Sequence, residues 1–182
     1  MMKKIFFVCK SLLIFASLCG FISAGEWFLL DEPGFSIQFP KKPETQVQTV
    51  KSAIGDLQMN ITMYEGAKDN DENYLYGIIT SEYPDSLMNS DKKEKLAAFF
   101  RSSVDGAVKN VQGKLLSEKD IEINGFPGRE ARIDFKNGMA IILMRCYLVH
   151  NKMFILQTIT ETKKEMNASV VKFYDSFKLK MQ

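Results

Sequence analysis

The chain has 182 residues, with 24 Lys and Arg against 22 Asp and Glu, one His, three Cys, fourteen Phe and five Pro. That length suits one domain with a real core and is too short for two comfortable ones. The near-even charge argues against a nucleic-acid binder, which needs a concentrated cationic surface, and frequent Phe with scarce Pro argues against a disordered chain.

Lys3, Lys4 and Lys10 precede an apolar or small-residue run, Ser11 to Ile22, and then Ser23, Ala24 and Gly25. A cationic head, a short apolar middle and small residues at its end are the layout of a secretory signal peptide. Residues 1–24 are therefore read as a signal and 25–182 as one mature domain, exported to the periplasm or beyond. The competing reading is a retained anchor, but Lys10 interrupts the run and the rest is short of the roughly 20 residues a spanning helix needs. Cys19 also invites a lipoprotein reading, against which stands the bulky Leu18 before it. The signal holds three lysines and no acid, so the mature chain is close to neutral, with net charge −1. Cys146 is then its only cysteine, which rules out an internal disulfide and leaves stability to the core.

Hydrophobic periodicity separates the elements. Phe35, Ile37 and Phe39 alternate with polar residues in a strand bounded by Pro33-Gly34 and Pro40. Thr45 to Ser52 reads as a polar strand. Leu57, Met59, Ile61 and Met63 form one face of the next. The charged run 68–73 is a loop, followed by a strand from Tyr74 to Ser81 that ends at Tyr83-Pro84-Asp85. Asp91 and Glu94 form a capping box for a helix whose stripe is Leu96, Phe99, Phe100, Val104, Ala107, Val108 and Val111. A strand from Lys114 to Ile123, a turn over 124–128, and strands 129–136, 139–150 and 153–160 follow. Thr162 and Glu165 are expected to cap a last helix with Met166, Val170, Phe173 and Phe177 as its stripe.

The two final hairpins set a register. Asn137-Gly138 is a strong hairpin signal because both residues tolerate positive φ. A two-residue loop there pairs Lys136 with Met139, and so Glu130 with Arg145, Ala131 with Met144 and Ile133 with Ile142. A two-residue Asn151-Lys152 loop pairs Leu148 with Ile155 and Met144 with Ile159. One sheet face then collects Ala131, Ile133, Phe135, Ala140, Ile142, Met144, Leu148, Ile155 and Ile159 as core. The other mixes Ile141, Leu143, Phe154 and Leu156 with Glu130, Arg132, Asp134, Arg145 and Tyr147. Its apolar centre needs cover and its charged margin meets water, so the expected fold is α/β (α+β): an antiparallel sheet of about 6–8 strands with helices on both faces.

Four segments carry a resemblance: GFSIQFP (34–40), INGFPGREARIDF (123–135), MRCYLVHNKMFIL (144–156) and FYDSFKL (173–179). Together they resemble the PsbP-like superfamily, whose fold is shared by the extrinsic PsbP subunit of photosystem II and the Ran-binding Mog protein. The likeness is greatest to secreted bacterial members of unassigned function. It spans most of Phe35 to Leu179 and implies an α/β/α sandwich in a protein that binds or scaffolds others. The matching motifs are turns, a core strand and a helix end, so no functional residue follows from them.

The chemistry-bearing residues have structural readings. His150 is the only histidine, which excludes a histidine metal cluster. Cys146 and His150 do not form a dyad on one strand, where four residues span about 13 Å. With His150 as the only base, a hydrolase triad is not expected. A calcium loop starting at Asp69 needs Gly at its sixth and Glu at its twelfth position, where Tyr74 and Thr80 stand. Asn60-Ile-Thr62 and Asn167-Ala-Ser169 match the glycosylation sequon, which matters only in a eukaryotic secretory route.

One constellation remains: Glu130, Arg132, Asp134, Arg145 and Tyr147 on one sheet face. It reads either as a cross-strand charge ladder or as an interaction patch with Arg and Tyr anchors. The expectation is a non-enzymatic module of the envelope that binds a protein partner, with no cofactor, metal or nucleic acid. The alternatives are a carrier of an apolar or anionic small molecule using Arg145 and Tyr147, and, third, a carboxylate-based hydrolase.

Overall fold

The computed structural model describes residues 26–52 and 55–180, and two antiparallel sheets organise them. The expected signal, with Cys9 and Cys19, lies outside the described residues. Among those residues no helix is long and apolar enough to cross a membrane.

The strands are β1 (Phe28–Glu32), β2 (Phe35–Phe39), β3 (Glu44–Ser52), β4 (Gly55–Tyr64), β5 (Asn73–Glu82), β6 (Lys114–Ile123), β7 (Phe126–Phe135), β8 (Ala140–Val149), β9 (Lys152–Glu161) and β10 (Lys178–Leu179). The helices are α1 (Lys93–Asn110) and α2 (Ala168–Asp175). The large sheet runs β3-β4-β5-β9-β8-β7-β6, so its seven strands and flanking helices match the expected fold class. A second sheet, β1-β2-β10, was not foreseen. Phe28 to Glu32 lacks clean alternation, and β10 has only two residues, so neither carries a periodic signal.

Both faces of the large sheet are core. On one, Phe100 and Val104 of α1 pack with Ala131, Met144, Cys146, Leu148 and Met153. On the other, Val170, Phe173, Tyr174 and Phe177 join Phe35, Ile37 and Phe39 of the small sheet over Tyr76, Ile78, Leu143, Tyr147, Phe154 and Leu156. The mixed face is thus covered twice, by α2 and by β2.

The β7–β8 register is the expected one: Glu130 opposes Arg145, Ala131 opposes Met144 and Ile133 opposes Ile142. Lys136, Asn137 and Gly138 all take positive φ in the turn, so the strands end at Phe135 and Ala140 rather than at Lys136 and Met139. The β8–β9 register differs from expectation by two residues. Cys146 opposes Ile155 and Leu148 opposes Met153, because the turn is His150-Asn151 with His150 at φ 51°. The preceding connection holds it there. The Ser90 amide donates to the His150 carbonyl (2.8 Å), and the Tyr83 amide donates to the Asn151 carbonyl (2.9 Å). An even shift leaves every side chain on its face, so the face assignment survives, although Phe135, Ile155 and Ile159 are only half-buried.

Three boundaries also move. α1 starts at Lys93 with Lys92 as its cap residue and no side-chain cap bond; the Asp91 amide instead donates to the Asn89 side chain (3.0 Å). β7 begins at Phe126, because Asn124 (φ 50°) and Gly125 (φ 82°) make the whole turn. Pro127 is tolerated there because β8 pairing starts only at Gly128, beyond the missing N–H. Gly128 is needed as glycine, since a Cβ would stand 2.5 Å from the Cys146 carbonyl oxygen and 2.6 Å from the Tyr147 ring. α2 is capped by Asn167, whose Oδ1 accepts from the Val170 amide (2.9 Å). Thr162 instead donates to the Gly138 carbonyl (2.7 Å), Glu165 is taken by Arg132, and Met166 is exposed.

Candidate functional site

Glu130, Arg132, Asp134, Arg145 and Tyr147 do share one face of β7 and β8, but their neighbours divide them. Glu130 Oε2 accepts from Arg145 Nε (2.7 Å), and Lys119 of β6 reaches Oε1 (2.9 Å). The Arg145 guanidinium lies 4.6 Å from the centre of the Tyr174 ring, an attractive cation–π placement. Tyr174 in turn donates from its hydroxyl to the Leu143 carbonyl (2.6 Å). Tyr147 is buried and stacks on Phe177, with centroids 6.0 Å apart and planes 14° from parallel. Arg145 and Tyr147 thus sit beneath α2 and the segment that follows it.

The other two lie at the margin. Arg132 binds Glu165 through both Nε (3.1 Å) and Nη2 (2.6 Å). Asp134 accepts the Gly138 amide (2.6 Å), which ties it to the hairpin turn.

Burial alone pushes the Glu130 carboxyl up, but hydrogen bonds and charge from Lys119 and Arg145 outweigh it and hold the carboxyl below its ordinary range. Its folded pKa is therefore below the unfolded value of about 4.3. The stability it contributes is present above that value and lost as pH falls through the folded pKa. Urea melts below about pH 4 are expected to show wild type losing stability more steeply than Glu130→Gln. Parallel acid limbs would remove the ion pair from the acid response.

On the opposite face Glu118 bridges Arg101 of α1 and Arg129 of β7. Glu118 opposes Ala131 on the α1 side, whereas Glu130 belongs to the α2 side, so these two carboxylates cannot flank one bond. Cys146 is fully buried, and its thiol is pushed up to about 12 by that burial, so it stays protonated. His150 stands at the β8–β9 turn, edge-on to Phe126 at 5.0 Å. Among the described residues no three His, Cys, Asp or Glu side chains converge as metal ligands would.

The acidic loop is stapled to the sheet. Tyr64 donates to Asp69 (2.9 Å), while Asp71 accepts from the Tyr76 hydroxyl (3.0 Å) and the Asn73 amide (2.9 Å). Asn73, fully buried, accepts from Thr160 and from Asn167, each at 2.7 Å. This network joins the loop to the start of α2, and it occupies the asparagine of the second sequon. Sequence reasoning missed it because its partners are up to 94 residues apart.

A cleft of about 520 Å³ opens where the two sheets meet, lined among others by Phe126, Val149, His150, Phe154, Leu179 and Lys180. It too depends on the unforeseen small sheet.

Neither a family model nor a curated protein matches the chain. The structure is similar to the solution structure of cyanobacterial PsbP (CyanoP) from Synechocystis sp. PCC 6803, with TM-score 0.48 and 14% identity. The match covers 89% of this chain and 97% of that one. At that identity it assigns no residue a role.

Proposed function

We propose that this chain is an exported, non-enzymatic module that binds a protein of the cell envelope. The division of the charged face carries the reading. Its inner members, Glu130, Arg145 and Tyr147, are consumed in holding α2, with no space left for a ligand between Arg145 and Tyr174. Its outer margin is the Arg132–Glu165 pair, both half-exposed. Met166 follows Glu165 and is 56% exposed; Met139, 59% exposed, accepts from the Thr162 amide through its carbonyl (3.4 Å). Arg and Met are both side chains that protein interfaces favour. The accessible surface is thus Arg132, Glu165, Met139 and Met166 rather than Arg145 and Tyr147.

Affinity capture from envelope extract tests this directly. One reproducible protein partner is expected with wild type and is expected to be lost with Arg132→Ala and with the Met139→Ala/Met166→Ala double variant. Retention of the partner by both would contradict the assigned surface.

The carrier reading has one specific observation in its favour, the cleft beside Phe126 and His150. Its volume is within the range of about 300–1,000 Å³ usual for small-molecule sites, and Lys152, Lys180 and Glu82 are among its lining residues. A carrier would use that cleft, and a small molecule recovered with the protein and displaced by Phe126→Trp would favour it.

A further inference from the structure

Edge strands present unpaired N–H and C=O groups, and proteins guard them with charge, bulges, Pro or short length. Of the four sheet edges among the described residues, three are guarded. β6 carries Lys114, Glu118, Lys119, Asp120 and Glu122, and it bulges at Leu116, where the register slips between Leu115 and Ser117. β1 ends in Asp31 and Glu32, and β10 has two residues.

β3 is the exception. It pairs with β4 over nine consecutive residues without a register shift, and it contains no Pro. Between Glu44 and Lys51 its residues are Thr45-Gln46-Val47-Gln48-Thr49-Val50, all uncharged. Residues 44–49 are all exposed, and Val47, a strong strand former at the middle, is 63% exposed.

The same stretch names its occupant. Thr45-Gln46-Val47-Gln48-Thr49 reads identically in both directions. Two antiparallel copies related by a two-fold axis through Val47 place Val47 against Val47, Gln46 against Gln48 and Thr45 against Thr49. Paired residues in an antiparallel ladder point to the same side of the sheet. A two-fold axis perpendicular to the sheet preserves that side only when the paired residue numbers have an even sum, which centring on Val47 satisfies. Like residues then meet at every central position, Val with Val, Gln with Gln and Thr with Thr, the last a stabilising hydroxyl pair, and no charge is opposed to its like. A self-complementary patch of this sort is what a closed two-fold dimer requires.

We propose that β3 is a self-association edge, through which two copies of this chain join their large sheets into one continuous sheet. The edge lies at the opposite end of the sheet from Arg132, so it is independent of the binding surface proposed above. A single strand pair is a small interface, so the dimer is expected to depend on concentration.

Sedimentation velocity of the full chain over a hundredfold concentration range tests the proposal. A monomer–dimer equilibrium is expected, weakened at least tenfold by Val47→Lys, which sets two ammonium groups opposite each other, and unchanged by Arg132→Ala. Circular dichroism of Val47→Lys at low concentration checks that the monomer still folds. Val47→Cys, treated with a mild oxidant such as diamide, is expected to give a disulfide between the two copies of residue 47, identified by peptide mass. Leu29→Cys, at a position 53% exposed on the small sheet, is expected not to cross-link. A chain that stays monomeric throughout, or a dimer indifferent to Val47→Lys, would overturn the proposal. Strand addition by a different protein, with no self-association, would overturn it as well.

Discussion

Phe173→Ala is expected to cost about 3–5 kcal/mol, the range for emptying a large aromatic site in a core. Phe173 is fully buried and central to the α2 face, edge-on to Phe39 of β2 at 5.3 Å and to Tyr76 of β5 at 5.4 Å. It therefore touches both sheets as well as its own helix, and the cavity it leaves is walled by three elements that cannot all close on it. Against a typical domain stability of about 5–15 kcal/mol, such a loss brings the protein near its unfolding threshold. Urea melts measure it. A change below about 1 kcal/mol would mean that α2 is not docked through this residue.

Arg145→Met is expected to cost about 2 kcal/mol, less than the roughly 3–5 kcal/mol of breaking a fully buried pair, because Lys119 still reaches Glu130. In a double-mutant cycle with Glu130→Gln, coupling of at least about 1 kcal/mol is expected for groups in direct contact. Exchanging the two residues is expected to recover only part of the loss of either reversal. An Arg at position 130 would meet Lys119, and a Glu at position 145 would lie under the Tyr174 ring, whose face repels negative charge. Absence of coupling would detach the charge pair from the packing of α2.

The register of β7 on β8 was legible because Asn137-Gly138 is local and chemically specific, and one turn then places every cross-strand pair. The β8–β9 turn was misplaced because His150 carries no intrinsic preference for positive φ strong enough to announce itself. Its conformation is held by Ser90 and Tyr83, about 60 residues earlier, and such contacts leave no trace in periodicity. Asp91 and Thr162 have the right spacing to an acid, yet α1 begins at Lys93 with no side-chain cap, and Asn167 caps α2. Alternation predicts cover over the apolar centre of this face and water at its charged margin. Alternation shows that Arg145 and Tyr147 share a face, but not that Tyr174 and Phe177 return from 29 and 30 residues later to cover them. Of the five residues that alternation places together at the margin, Arg132 stays half-exposed while Glu130 and Tyr147 are buried.

The proposed function, binding a protein and not holding a small molecule, is decided by native mass spectrometry of the untagged protein isolated from the envelope fraction. A mass lacking the first 24 or 25 residues, with a second polypeptide bound and no small-molecule adduct, is the expected result. A stoichiometric small molecule retained without any protein partner would contradict it.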